Sequence, residues 1–322
     1  MRLPSRWIAV LLGAACSVPL SSQEQGEATF RIDARLVQLN ATVVDKNGKL
    51  VPDLPREAFT VTENGVAQQL KLFRREDVPV SMGLVIDNSG SMRERYSRVA
   101  AAAVRLVKAS NPQDEVCIVN FNDEAFLDVP FTSDVKKMEE GLGRVVTRGG
   151  TAMRDAVSMT IDYLKEKAKR DKKVIVVVTD GDDNTSSPLN TLEKLLTKAH
   201  QTDEVLLYFI GFLNDEERSK ARRAQRAMMA LAEASGGFAY FPKEIDEIEQ
   251  LADTVAHEIR NQYTLAYSPT IQALDGSFRR IVVTAKGPNR PVVRTRSGYY
   301  ATPDEKAPRN APKLPSANSL NR

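Results

Sequence analysis

Val80-Ser81-Met82-Gly83-Leu84-Val85-Ile86 leads without a break into Asp87-Asn88-Ser89-Gly90-Ser91. The first segment is apolar almost throughout and reads as a strand buried on both faces, the habit of parallel sheets covered by helices. The loop behind it then stands at the carboxyl end of that strand, where open α/β sheets bind their ligands. It gathers one carboxylate and two hydroxyls, a set that suits a hard divalent cation.

Further apolar runs follow at residues 115–121, 173–179, 205–212 and 238–241, and helical patterns lie at 95–109, 134–142, 152–169, 189–199, 215–234 and 245–260. This alternation over residues 79–261 predicts an α/β domain with a doubly wound, mostly parallel sheet. Ser187-Pro188 and Asn214-Asp215 read as helix starts, and Gly236-Gly237 as the stop after Ser235.

The flanks have a different rhythm. Residues 28–75 alternate as strands in Phe30 to Val37 and Ala41 to Val44, with turns at Lys46-Asn47-Gly48 and Glu63-Asn64-Gly65. Residues 262–300 alternate again in Tyr263 to Tyr267, Arg279 to Thr284 and Val292 to Thr295. Each flank is too short to build a core alone, so the two are expected to pair into one small β-sandwich, with the α/β domain inserted between them. Residues 302–322, rich in Pro, Asn, Lys and Ser, are expected to be disordered.

A chain of 322 residues, 42% hydrophobic, can bury one large core and a smaller second one. Arg2 and Arg6 precede the apolar stretch Trp7 to Ala15, which ends in small residues and is too short to span a membrane. Residues 1–22 therefore read as a secretory signal rather than a buried strand, and the protein as exported to the periplasm, cell envelope or medium, without a transmembrane segment. Gly13-Ala14-Ala15-Cys16 resembles a lipobox, although Gly13 stands where a branched aliphatic residue is usual. Cleavage near Ser22 is the expected course, and a lipid anchor at Cys16 the alternative. Loss of the signal removes two arginines and takes the net charge from +3 to +1, too little for a nucleic-acid partner. Cys117, inside Val116 to Val119, packs as a small apolar side chain, which leaves no internal disulfide.

Two later segments complete the cation chemistry: Gly149-Gly150-Thr151, and Thr179-Asp180-Gly181 after the run Val174 to Val178. Asp87, Ser89, Ser91, Thr151 and Asp180 are the candidate metal ligands, for Mg²⁺ or else Mn²⁺ or Ca²⁺. Each has an ordinary reading too: either serine can cap the helix before Arg93-Glu94-Arg95, and Thr151 can cap the next. Asp182 and Asp183 read as solvated loop acids, and Asp155 as a support for the site or a helix cap.

The three segments, in this order and spacing, resemble the metal-ion-dependent adhesion site of von Willebrand factor type A domains. With the flanks, including Tyr263 to Tyr267 and Ser297-Gly298-Tyr299-Tyr300, the mature chain resembles the exported bacterial von Willebrand A-related proteins described chiefly in acidobacteria. The resemblance implies direct coordination by Ser89 and Ser91, coordination by Thr151 in the ligand-bound state, and charge from Asp87 and Asp180. It further implies a protein partner whose Asp or Glu completes the octahedron. Neutral hydroxyls leave the cation under-neutralised, which is why an incoming carboxylate would bind.

Other functions fit less well. A haloacid dehalogenase-type phosphatase needs a second acid two residues after its nucleophile, and here that position is Ser89. No Gly-x-Ser-x-Gly elbow is present, His200 and His257 lie in helical stretches, and no Gly-x-Gly-x-x-Gly follows a strand. The reading is a non-catalytic adhesion-type protein. The alternative is a structural envelope protein whose metal site is stabilising or vestigial.

Overall fold

The apolar run that opens the central region forms a strand with all eight residues, Val80–Asp87, buried. In this computed structural model, residues 35–75, 77–202 and 205–303 are described. The expected signal at 1–22, Cys16 and residues 304–322 of the expected tail lie outside them.

Before the central region come β1 (Val37–Val44), β2 (Phe59–Glu63), β3 (Val66–Gln68) and β4 (Leu70–Arg74). The central region runs β5 (Val80–Asp87), α1 (Tyr96–Ala109), β6 (Glu115–Phe121), β7 (Ala125–Thr132), α2 (Val135–Gly143) and α3 (Met153–Lys167). It continues with β8 (Lys172–Thr179), α4 (Leu192–Gln201), β9 (Val205–Gly211), α5 (Arg218–Ser235), β10 (Ala239–Tyr240) and α6 (Ile248–Arg260). After it come β11 (Tyr263–Tyr267), β12 (Phe278–Ala285), β13 (Val292–Arg294) and β14 (Gly298–Tyr300).

The central sheet has the order β10-β9-β8-β5-β6-β7, parallel except for β7, which pairs antiparallel with β6. Alternation along β5 sends Leu84 and Ile86 to one face and Val85 to the other. The first face packs under α1, α2 and α6 through Val99, Leu106, Met138 and Val255. The second packs under α3, α4 and α5 through Val157, Ile161, Leu195 and Met228. Burial on both faces accounts for the unbroken apolar strands. The chain leaves β5 toward β6 but leaves β8 toward β9, so the carboxyl ends of β5 and β8 flank the crevice where the winding reverses.

Two four-stranded sheets, β13-β1-β11-β4 and β14-β12-β2-β3, each combine strands from before and after the central region. Antiparallel pairs such as Val37 with Tyr267 and Val61 with Val283 set their register. Leu39, Val61, Tyr263, Leu265 and Ile281 share one core between the sheets. The β2–β3 turn has Asn64 and Gly65 at φ 49° and 82°, the left-handed pair that a two-residue hairpin of this hand requires.

Some boundaries differ from the sequence expectation. Of the expected strand Phe30 to Val37, residues 30–34 lie outside the described residues; β1 runs from Val37 through Gln38-Leu39-Asn40 into the expected strand Ala41 to Val44. β7 has no counterpart among the expected strands: an edge strand that contains Asp128 and Pro130 shows no apolar run. α4 starts at Leu192, where Thr191 Oγ1 accepts from Lys194 N–H, and not at Ser187-Pro188. α5 starts at Arg218, three residues beyond Asp215. Among the described residues no helix is long and apolar enough to cross a membrane.

A polar seam joins the end of α6 to the flanking sheets. The Arg294 guanidinium donates to the buried Glu258 at 3.1 Å, Tyr240 donates to the same oxygen at 2.7 Å, and Gln262 Nε2 reaches Thr42 Oγ1 at 2.9 Å. Burial pushes the Glu258 carboxyl above its ordinary value, against the pull of Tyr240 and Arg294. Removing the cation alone strands a buried charge, so Arg294→Met should cost about 3 kcal/mol in urea unfolding. The double change Arg294→Met with Glu258→Gln should cost clearly less; equal costs would refute the pairing.

Candidate metal centre

Asp87 closes β5, and Asn88 extends the pairing with β6 by donating its N–H to the Phe121 carbonyl at 2.8 Å. The Asp87 carboxylate is fully buried: Oδ1 accepts from Ser89 N–H at 2.8 Å and Oδ2 from Thr179 Oγ1 at 2.5 Å. Burial, the largest cause, pushes its pKa up to about 6; the Thr179 and Ser89 hydrogen bonds oppose the rise and the charge of Asp180 adds to it. Ser89 occupies the N-cap of the 3₁₀ turn Gly90–Glu94, yet its hydroxyl makes no cap bond. Instead Ser89 Oγ lies 3.0 Å from Ser91 Oγ, which donates to Asp180 Oδ1 at 2.8 Å. Asp180 is buried, and that burial raises its carboxyl above the ordinary range against the pull of Ser91 and Arg95.

Main-chain bonds draw in the second segment. Gly90 N–H donates to the Gly149 carbonyl at 3.1 Å, and Arg148 N–H to the Asn88 carbonyl at 2.9 Å. Thr151 N–H donates to Asn184 Oδ1 at 2.9 Å, while the Thr151 carbonyl accepts from Asn184 N–H at 3.0 Å. The N-cap of α3 is Ala152 and has no side-chain cap bond, so the buried Thr151 hydroxyl is not spent there. It faces Gly181, where an added Cβ would stand 3.8 Å from it. Gly149, at φ 75°, lies so close to Asp123 that a Cβ would meet its Oδ2 at 2.2 Å; at Gly150 one would meet Thr185 Cγ2 at 2.5 Å. Only glycine lets this loop settle against its neighbours.

The Ser89, Ser91 and Asp180 oxygens fit a small dication. An octahedron with bonds of roughly 2.0 to 2.1 Å places adjacent ligands about 2.9 Å apart. The Ser89–Ser91 and Ser91–Asp180 oxygen separations are 3.0 and 2.8 Å. Protons now hold those contacts together, and an ion could take their place with little movement. Among the described residues no group of three or more His, Cys, Asp or Glu gathers as a metal site. The donors here are hydroxyls and two carboxylates, which favours hard cations over zinc.

Several neighbours escaped the sequence reading. Arg95 donates to Asp180 Oδ2 at 3.0 Å and pairs its second arm with the exposed Asp215, so a guanidinium sits against one candidate ligand. No local pattern signals it, since the contact depends on the β8–α4 and β9–α5 loops. Asp182 and Asp183 are not solvated loop acids: Asp182 is buried and paired with Arg223, and Asp183 accepts from Arg154 N–H at 2.7 Å and from its guanidinium at 2.8 Å. Their flanking loop packs onto α3 and α5, which supply both arginines. Asp155 accepts from Ser187 N–H at 2.8 Å and Asn190 Nδ2 at 2.6 Å, tying the same loop to α3.

Residues 82–182 match the family model of the von Willebrand factor type A domain. Inter alpha-trypsin inhibitor heavy chain 4 of Mus musculus is 26% identical over 157 residues, 44% of this chain and 16% of that protein. Calcium-activated chloride channel regulator 1 of Mus musculus is 30% identical over 122 residues, 34% of this chain and 13% of that protein. The chain thus spans only a small part of the length of these relatives. Among solved structures, a von Willebrand factor type A protein from Catenulispora acidiphila superposes with TM-score 0.47 and 13% identity, covering 85% of this chain and 75% of that one. The vWF domain of a type V pili tip protein from Porphyromonas gingivalis gives TM-score 0.45 and 14% identity, covering 57% of this chain and 95% of that one.

The burial of Asp87 carries a pH signature. Its folded pKa stands above its ordinary value, so stability present below about pH 4 is lost as pH rises through about 6. At neutral pH the metal-free protein gives up about 3 kcal/mol in this way. Asp87→Asn should flatten that part of the stability curve, measured by urea unfolding in chelator; an unchanged slope would contradict the assignment.

Proposed function

We propose, from the premise that residues 82–182 are a von Willebrand factor type A domain, that this chain is an exported, non-catalytic binding protein. It captures a carboxylate of a protein partner through a divalent cation held by Asp87, Ser89, Ser91, Thr151 and Asp180. The observation that carries this reading is the run of contacts from Ser89 Oγ through Ser91 Oγ to Asp180 Oδ1, at ligand spacing, with Ser91 exposed at the mouth. Bound there, a dication would offer an open coordination position to an incoming Asp or Glu. The protein's part is to face the ion with neutral hydroxyls while Asp87 and Asp180 lend their charge, so that a partner carboxylate can complete the shell.

Catalytic readings gain less support. Both oxygens of Asp87 are engaged by Thr179 and Ser89 in a fully buried position, which does not suit a nucleophile. His200 holds the Leu196 carbonyl with Nδ1 at 2.9 Å and meets Ser297 Oγ at 3.2 Å, a tie from α4 to the segment before β14, and its Nδ1 partner is not a carboxylate. The structural alternative, in which the metal only stabilises the domain, makes the same thermal prediction but no prediction of capture.

Mg²⁺ at about 100 times its Kd should add about 2.7 kcal/mol to chelated protein. A pull-down from envelope extract should recover a partner with wild type in Mg²⁺, and not in chelator or with Ser89→Ala or Asp180→Ala. Capture that survives these changes would sink the recognition role.

Arg95 competes with the ion for Asp180, and its removal deletes a like charge beside the site. Arg95→Gln should therefore bind Mg²⁺ about tenfold more tightly by calorimetry, in line with 1.4 kcal/mol of relieved repulsion. Equal or weaker binding would show that the guanidinium is a structural support.

A further inference from the structure

The sheet β13-β1-β11-β4 buries Leu39 and Leu265 on one face, so the alternate residues point away from that core. Register sets Asn40 of β1 beside Thr264 of β11, and Thr264 beside Arg74 of β4, which makes a polar row across three strands. Gln38 shares this face. The row forms one wall of a cleft of about 470 Å³ whose other wall is the α3–β8 turn, with Lys169, Arg170 and Lys172. The cleft lies at the amino end of β8, away from the carboxyl end that carries Asp180. Asn40 is buried to 9% exposure, and its main-chain carbonyl accepts from Thr295 Oγ1, but its side-chain amide bonds to no described residue. The side chains of Gln38, Thr264 and Arg74 are likewise unpartnered among the described residues. A buried amide left unpaired at a cleft wall points to a partner from outside.

The facing wall is positive and held in place. Lys169 N–H donates to the buried Glu115 carboxylate at 2.7 Å, and Arg170 N–H to Ser81 Oγ at 3.1 Å. The Arg170 guanidinium grips the Gln113 carbonyl with Nε at 3.2 Å and Nη2 at 2.8 Å, and has no carboxylate partner among the described residues. The buried Lys172 ammonium donates to the Ile259 carbonyl. Burial pulls its pKa down to about 8, against the opposing pull of Asp77 and Asp114. Those two acids are already engaged, Asp77 with Arg260 and Asp114 with the N–H groups of Val80 and Asn111. With Arg74, four cationic side chains therefore face one acid, Asp171, among the described lining residues.

We propose that this cleft binds the phosphate monoester of a small sugar or polyol. The phosphate lies among Arg74, Arg170 and Lys172, where guanidinium forks match its oxygens and a dianion answers the surplus charge better than a single carboxylate does. The amides of Gln38 and Asn40 and the Thr264 hydroxyl, each both donor and acceptor, meet the hydroxyls of the polyol. The volume suits a small ligand, and the recessed Asn40 and Lys172 favour a slim group over a flat bilayer. This site needs no ion and goes beyond carboxylate capture, so either can fail without the other.

The test is calorimetry on the full-length protein, stripped of metal and dialysed free of chelator, with glucose 6-phosphate, glycerol 3-phosphate, inorganic phosphate, glucose and citrate as probes. At least one of the two monoesters should bind with a Kd of about 0.1 mM, inorganic phosphate about tenfold more weakly, and glucose not measurably. Arg74→Gln, at an exposed position, should weaken the monoester about tenfold. Thr264→Val should weaken it about threefold and leave inorganic phosphate unchanged. If neither monoester binds, if citrate binds as tightly, or if Arg74→Gln behaves as wild type, the assignment is overturned. Co-sedimentation with phosphatidylglycerol vesicles without monoester binding would mark a membrane-facing surface instead, and overturn it equally.

Discussion

A buried carboxylate at the end of a central strand is the constraint around which the rest is arranged. Asp87 has no solvent, so its charge must be met by hydrogen bonds and, in the reading proposed here, by an ion. Thr179 supplies the shortest of those bonds from the end of the adjacent strand β8. That bond joins the strand ends on either side of the winding reversal and aligns the Asp180 loop with the Asp87 loop. The Ser91 and Arg95 bonds to Asp180 reinforce that alignment.

Electrostatics explains the choice of side chains. Burial in a dry crevice pushes both carboxyls toward protonation, and the charge of Asp180 adds to the rise at Asp87. Hydroxyls placed between them add oxygens without adding charge. Arg95 meets the same difficulty from the other side by lending a positive charge to Asp180. The site is thereby tolerable as it stands, with the Asp180 charge matched by Arg95. The second arm of Arg95 on Asp215 gives the guanidinium somewhere to remain when Asp180 is otherwise engaged.

Much of this was legible along the chain. Val80–Ile86 and Val174–Val178 are apolar because both faces of the sheet are covered, and the topology that follows from βα alternation sets Asp87 and Asp180 at neighbouring strand ends. Local chemistry also announced the Gly236 stop, which has φ 88° and donates its N–H to the Ala232 carbonyl at 2.9 Å. What stayed hidden depends on loops meeting. The partners of Asp182 and Asp183 lie on α5 and α3, so isolated acids in a loop looked solvated. β7 carries half-exposed side chains on a sheet edge and lacks the run that marks an interior strand. Ser187-Pro188 mimics a helix cap, whereas the Ser187 N–H is held by Asp155 and α4 starts only at Leu192.

The flanking sheets do more than close the chain's ends. Both connections to the central domain are short, from β4 at Arg74 to β5 at Val80 and from α6 at Arg260 to β11 at Tyr263. α6 is held at its far end by Glu258 with Arg294, by Arg260 with Asp77, and by the Lys172 ammonium on the Ile259 carbonyl. Along its length Arg105 of α1 grips Asp253 and Glu249. Of these ties, Glu258 with Arg294 and Lys172 with the Ile259 carbonyl are buried and costly to part, whereas the exposed Arg105 and Arg260 pairs add little. The Glu258–Arg294 seam thus ties the end of α6 to β13 of the flanking sheets.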